Sequence, residues 1–434
     1  MSNLLQDIAS RKAQVTVIGI GYVGLPLAVE IARAGFRVTG LDKSADKVHG
    51  VLTAKSYIGD VSDADLALLV KEKKLLTATT DPAVLAESDV VIICVPTPLN
   101  KTKEPDNSFI MGAAEDLRLH LHKNQLVVLE STTFPGFTRE VLLPKLQETG
   151  LKVGQDFYLC FSPERVDPGN PNYHTKNTPK VVGGTTLNCL EAICAMYGEF
   201  LDSLIKVSST DAAEMVKLLE NTFRAVNIGL VNEVAIMSEK LGLDTWEIIN
   251  AAATKPFGFM PFYPGPGLGG HCIPVDPLYL SWKLKTLKYE ARFITLADEI
   301  NSHMPDFVVE KVQNGLNDAE RAIKGSKILV VGVAYKKNID DVRESPALDV
   351  IHLLQLKGAT VTYHDTHVPS IRMGDRVMKS QPLAGLGEVD CVLVLTDHSD
   401  VDYARVVREA KLVVDTRNAT RKFRSDAKAR IIGL

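Results

Sequence analysis

The residues best suited to covalent chemistry lie past mid-chain, in Gly265-Pro266-Gly267-Leu268-Gly269-Gly270-His271-Cys272-Ile273-Pro274-Val275-Asp276. Cys272 supplies a thiol, and Asp276, four residues on, a carboxylate. Glycine has no Cβ, so these glycines would let a bulky ligand lie against bare backbone. A thiol, a proton acceptor and a glycine cradle together suit nucleophilic capture of a bound small molecule. The competing reading is a surface loop with a buried cysteine, because a lone cysteine usually behaves as a small hydrophobe.

The second chemical signature is near the start. Residues 14–18 predict a buried strand that runs into Gly19-Ile20-Gly21-Tyr22-Val23-Gly24. A helical pattern over 25–34 follows, then a strand over 36–41 that ends at Asp42. Strand, GxGxxG, helix, strand and acid in that order suit a dinucleotide, with its pyrophosphate at the helix N-terminus. Asp42 can accept from a ribose 2′-hydroxyl and would repel a 2′-phosphate, so NAD is expected rather than NADP.

Other polar residues stand where elements end. Apolar runs at 89–95, 125–129 and 157–161 read as parallel strands, and each leads into a polar turn: Thr97, Thr132 and Glu164. Ligands of open parallel sheets bind at such carboxyl ends, although cap or turn roles are equally ordinary for these residue types. A proline-free helix is predicted over 212–241, with Ser209-Thr210-Asp211 as its cap. Its length suits a bridge that also buries a face against a second subunit. Lys217 and Asn221, four apart, project from one face of it. Further helices are predicted over 62–73, 244–253, 280–287 and 292–301. The loop 254–270 carries Phe257, Phe259, Phe262 and Tyr263 among prolines and glycines, apolar enough to pack on a sugar or base. Loop 100–107 is polar and is expected to be mobile. After Gly325 a second α/β pattern begins, with strands at 327–333, 359–363, 391–395 and 412–414 and no GxGxxG. The basic stretch 421–430 is expected to fray.

Composition narrows the classes. The 434 residues, 45% apolar and 24% charged, suit an ordinary globular protein of about three domains. A net charge of −4 gives no footprint for nucleic acid. The N-terminus lacks a secretory signal, and no apolar run of about 18 residues is long enough to span a membrane. The six cysteines form no CxxC pair, which favours a reduced, cytoplasmic setting. No metal is expected: His364 and His367 flank a turn, without other ligands at metal spacing.

Taken together, the GxGxxG, the Pro163-Glu164 strand end, the Lys217/Asn221 helix and GGHCIPVD resemble the UDP-glucose/GDP-mannose dehydrogenase family over residues 14–418. The loop from Lys255 to Gly267 resembles most the branch that oxidises UDP-N-acetylglucosamine, with UDP-glucose as the alternative substrate. The resemblance implies an α/β chain of two doubly wound Rossmann-like domains bridged by a long central helix, with the site in the cleft between them. The expected division is an NAD-binding part (1–208), a helical dimerisation part carrying the cysteine (209–322) and a UDP-sugar-binding part (323–434). The implied partners are NAD, a UDP-sugar and a second copy of the chain in a homodimer or higher oligomer. The implied reaction is a four-electron oxidation of a C6 alcohol to the acid through a thiohemiacetal and a thioester on Cys272. In it Lys217 stabilises the oxyanion with Asn221, while Asp276, Thr132 and Glu164 activate water. The resemblance also places Arg165, Val166, Tyr263, Gly267, Tyr335 and Lys336 at the substrate, and Tyr22, Val23, Lys47, Thr97 and Arg343 at the cofactor. Lys255 stands where the family usually has an arginine that reaches a neighbouring subunit's substrate. A single-oxidation β-hydroxyacid dehydrogenase is the rival reading, and it needs no cysteine.

Overall fold

A parallel strand buried on both faces reads as an unbroken apolar run, and such runs form the middle of both sheets. The computed structural model describes residues 3–100, 104–166, 170, 172–270 and 272–434. The first sheet contains β1 (Gln14–Ile18), β2 (Arg37–Leu41), β3 (Leu76–Thr79), β4 (Val90–Ile93), β5 (Leu126–Leu129), β6 (Tyr158–Phe161), β7 (Lys180–Gly184) and β8 (Leu204–Lys206). Their order is β3-β2-β1-β4-β5-β6-β7-β8. Neighbours are parallel except β6 and β7, which run antiparallel with Cys160 opposite Gly184. Strand order reverses at β1, the position where doubly wound sheets bind ligands. Every residue of β4, β5 and β6 is buried, between apolar layers that include Leu25 and Ile31 on one side and Leu117 and Phe137 on the other.

The second sheet contains β9 (Lys327–Val331), β10 (Thr360–His364), β13 (Cys391–Val394), β14 (Leu412–Asp415) and β15 (Arg430–Gly433), all parallel, in the order β10-β9-β13-β14-β15. A hairpin, β11 (Ser370–Met373) with β12 (Arg376–Lys379), stands in the crossover from β10 to β13. The chain divides into two compact units: residues 1–220 with 278–289, and residues 221–277 with 290–434. The boundary falls within the helix Thr210–Leu241, whose 32 residues span about 48 Å at 1.5 Å each. Ser209 Oγ caps it by accepting from Ala212 N at 3.1 Å.

Two expectations fail for packing reasons. The helix predicted over 292–301 runs on as Arg292–Asn317, straight through Pro305. Met304, Phe307 and Val308 are buried on either side of that proline, so tertiary contacts outweigh the one helical bond it removes. The stretch 421–430 is not frayed: it forms a short 3-10 helix, Arg421–Asp426, and Arg430, which opens β15, meets Asp318 at 2.5 Å. Within loop 100–107, residues 101–103 lie outside the described residues, as does His271 of the cysteine loop. Among the described residues no helix is long and apolar enough to cross a membrane, and no three His, Cys, Asp or Glu side chains are grouped to hold a metal.

Candidate functional site

The glycines after β1 have different tasks. Gly19 sits at φ +88°, and a Cβ there would come 2.8 Å from the Cys94 carbonyl oxygen. A Cβ on Gly24, the first residue of helix Gly24–Arg33, would come 1.9 Å from the Gly19 oxygen. These two are demanded by the protein's own packing. A Cβ on Gly21 would meet nothing within 4 Å. That open space, in front of a helix N-terminus, fits a pyrophosphate. Val23 takes the N-cap position without a side-chain bond, and Tyr22 is half exposed. Asp42 follows β2, its Oδ2 accepting from Ile20 N at 3.1 Å and its Oδ1 from Ser44 N at 2.9 Å. Lys47 Nζ reaches the same carboxylate at 3.0 Å. Thr97 is buried, and its carbonyl accepts from Tyr279 OH at 3.0 Å. Thr132 is half-buried, whereas its neighbour Thr133 is buried. The loop they begin is pinned by Glu214, which accepts from Gly136 N at 2.6 Å and Thr138 N at 2.9 Å. Burial pushes Glu214 up to about 7.

Past β6, Glu164 is held on both oxygens. Oε1 accepts from Arg165 N at 2.9 Å and Val166 N at 2.6 Å, and Oε2 from Lys180 Nζ at 2.7 Å. Burial raises its pKa, but the charge and hydrogen bond of Lys180 outweigh that and hold the carboxyl below its ordinary value. Lys217 Nζ donates to the Glu164 carbonyl at 2.6 Å. The Arg165 guanidinium binds Glu220 through Nη2 and Nε, at 2.7 and 3.3 Å, and the Pro179 carbonyl through Nη1 at 2.6 Å. It is a strut from the strand-end loop to the long helix, a role its position in the sequence does not show.

In the second unit Cys272 lies just ahead of helix Asp276–Thr286, and its carbonyl accepts from Val275 N at 3.1 Å and Asp276 N at 2.8 Å. Asp276 is buried, with Oδ2 accepting from Asn221 Nδ2 at 2.5 Å. The glycines before Cys272 do something the sequence did not disclose. A Cβ on Gly269 would come 2.5 Å from Tyr335 Cβ, and one on Gly270 2.9 Å from the Tyr335 ring. A Cβ on Gly265 would come 2.5 Å from Arg417 Nη1. At these three positions the space belongs to the protein's own side chains rather than to a ligand. Gly267 takes φ +135°, near Pro346 and the Asn301 carbonyl. Gly270 N donates to the Arg343 carbonyl at 3.1 Å, and the Arg343 side chain lies on Asp341 at 2.6 Å. Lys336, in the same loop, is half-buried. Tyr263 stacks on Trp246 at 5.1 Å, and Lys255 lies over the Phe257 ring at 5.1 Å.

Several contributors escaped the sequence reading. Asn232 accepts from Gly265 N at 3.0 Å and donates to Asn301 at 2.8 Å, so a buried amide pair anchors the cysteine loop. Asparagine on the buried face of a helix was the available signal, because it is a poor choice there unless bonded. Arg417, just past β14, donates through Nε to the Leu395 carbonyl at 3.1 Å, with its Nη1 beside Gly265.

The comparisons with known proteins agree along the chain. Three domain models of the UDP-glucose/GDP-mannose dehydrogenase family match: the NAD-binding domain at residues 13–201, the central domain at 211–303 and the UDP-binding domain at 329–422. A UDP-N-acetyl-D-mannosamine dehydrogenase of Methanococcus maripaludis is 34% identical over 93% of this chain and 92% of its own. A UDP-N-acetyl-D-glucosamine 6-dehydrogenase of Pseudomonas aeruginosa is 35% identical over 79% and 80%. The solved UDP-N-acetylmannosamine dehydrogenase of Pyrococcus horikoshii superposes with a TM-score of 0.88 at 31% identity, covering 96% of this chain and 99% of the other. This chain therefore belongs to the UDP-glucose/GDP-mannose dehydrogenase family, as an NAD-dependent oxidoreductase of nucleotide sugars.

Proposed function

We propose that the protein oxidises the C6 alcohol of UDP-N-acetylglucosamine to the uronic acid, through a thiohemiacetal and then a thioester on Cys272. The observation that carries this reading is Cys272 at the start of a helix, with the buried carboxylate of Asp276 one turn on and held by Asn221. A helix start favours negative charge, so it suits a sulfur that attacks as an anion. NAD accepts a hydride in each of two oxidations. One alcohol, two NAD+ and one water become one carboxylate, two NADH and three protons. Cys272 holds the half-oxidised sugar between those steps. Lys217 and Asn221 donate to the oxygen that gains charge. Asp276, Glu164 and Thr132 position and activate water, the two carboxylates as proton acceptors and the threonine hydroxyl by hydrogen bonding. Gly21, Asp42 and Thr97 receive the dinucleotide, with Arg343 at its phosphates. Lys336, Tyr335 and Arg417 bind the uridine diphosphate.

NADH formation across a panel of UDP- and GDP-sugars tests the substrate. Turnover of UDP-glucose without turnover of UDP-N-acetylglucosamine would overturn it. UDP-N-acetylmannosamine is the second reading, because the relative of that specificity aligns over almost the whole chain. The Cys272→Ser enzyme is expected to bind NAD and sugar but to release no uronic acid. Undiminished acid formation would favour chemistry without a covalent step.

The reading includes a homodimer in the cytoplasm. On the long helix Met215, Leu219, Phe223, Leu230 and Met237 are apolar and at least a third exposed, a stripe that suits burial against a second copy. Light scattering should give about twice the chain mass of 47.4 kDa, and a monomer at micromolar concentration would refute it.

A further inference from the structure

The antiparallel β7 has a consequence for Glu164. A parallel strand would begin at the amino end of its neighbour. Because β7 runs against β6, its first residue, Lys180, lies beside the carboxyl end of β6, on the ligand side. Its side chain is 4% exposed and bridges two carboxylates: Glu164 at 2.7 Å and Glu130, one residue past β5, at 2.9 Å. Glu130 is itself buried and takes the Tyr197 hydroxyl on its other oxygen. A buried lysine between two acids is costly unless every charge is matched, so the arrangement calls for an explanation.

The acceptor count supplies one. A carboxylate offers about four lone-pair directions. On Glu164 two backbone amides take Oε1 and Lys180 takes one direction on Oε2. One direction on Oε2 remains, so Lys180 fixes where Glu164 can hold a water. We infer that Lys180, counterbalanced by Glu130, is a positioning residue that keeps Glu164 ionised and aims its remaining acceptor direction for the hydrolytic step. This rests on the proposed role of Glu164.

The charged and titratable groups around Glu164 come from several elements. Lys180 is on β7, and Lys217 on the long helix meets the Glu164 carbonyl. Arg165 is turned away onto Glu220. Glu130 follows β5, with Tyr197 behind it and Cys94 nearby after β4. Burial pushes Glu130 above its ordinary value while Lys180 keeps Glu164 below, so the two acids of the bridge are driven apart.

The test is the pH dependence of uronic acid formation in the full-length enzyme. Removing an adjacent cation raises a carboxylate's pKa by roughly 1–3 units. Lys180→Met should therefore bring an acid limb up by at least one unit, with kcat falling more than KM changes. Lys180→Arg should keep the limb near its wild-type position. Glu130→Gln removes an anion, so its limb should stay at or below the wild-type one. If Lys180→Met folds poorly, the Glu130→Gln/Lys180→Met double variant avoids an orphaned buried acid and should still move the limb up, by less. A uniform loss of rate with an unmoved limb in Lys180→Met or the double variant would overturn the inference, as would an upward shift in Glu130→Gln. Glu164→Gln separates the two readings: if it hydrolyses the thioester normally, the role of Glu164 itself fails. If Glu164→Gln abolishes hydrolysis and the lysine variants leave the limb in place, only the role of Lys180 fails.

Discussion

The two sheets begin with the same device and put it to different uses. After β1, Gly19 turns at φ +88° and its N–H donates to the Leu41 carbonyl at 2.7 Å. After β9, Gly332 turns at φ +81° and donates to the His364 carbonyl at 2.9 Å. In each unit an acid past the neighbouring strand accepts from the amide after that glycine: Asp42 from Ile20 N at 3.1 Å, Asp365 from Val333 N at 2.7 Å. There the likeness ends. The Asp42 side chain keeps 10% of its surface, and a helix starts at Gly24 in front of an open Gly21. Asp365 has no exposed side-chain surface. It also accepts from the amides of His367 and Val368 and from His398 Nε2. The other His398 nitrogen accepts from Asn338 N at 2.9 Å, inside the loop that carries Lys336 and Arg343. The first acid is available to a ligand; the second has become a fastener for a loop. Geometry shared by two Rossmann-like units does not by itself predict a shared ligand.

The largest test of that contrast is Asp365→Ala. It would strand a buried histidine and several amides, and should cost about 3–5 kcal/mol in urea unfolding. A loss similar to that of a surface substitution would break the comparison. Asp42→Ala should cost less, about 1–3 kcal/mol for the Ile20 and Ser44 amides it leaves, and its main effect should be NAD affinity weakened by roughly ten- to a hundredfold, read by calorimetry. The smallest effect is the acid dependence. Although burial opposes it, the hydrogen bonds to His398 and the amides hold Asp365 down to about 2. A depressed carboxylate stabilises the fold above its unfolded pKa, near 4, and that contribution is lost as pH falls towards 2. It amounts to about 2 kcal/mol, and Asp365→Asn should flatten this part of the stability–pH curve. An unchanged slope between pH 4 and 2 would place the acid sensitivity elsewhere.

The legible parts of the molecule were those written in consecutive residues. GxGxxG between two strands fixed the switch point, and the absence of proline from 212 to 241 gave the long helix. Features made by distant partners were not legible. Nothing near Lys180 announces that β7 will run backwards, so a buried lysine could not be told from a solvated one. Arg165 sits where a ligand arginine would, but Glu220, 55 residues away, takes it. Gly269 and Gly270 were read as room for a ligand, because the sequence does not show Tyr335 coming to rest on them. The stretch 421–430 looked frayed because its charges outnumber its apolar residues, yet Arg421–Asp426 forms a 3-10 helix and Arg430 pairs with Leu412 of β14.

The contact of Tyr335 with Gly269 and Gly270 also bears on the order of biosynthesis. Ribosomes deliver the first sheet and the Cys272 loop before residue 335 emerges. Until the distal sheet forms and supplies that aromatic wall, the turn before Cys272 lacks its template. A nascent chain thus completes the GxGxxG turn of its first sheet before the turn ahead of Cys272 has the side chain it packs against.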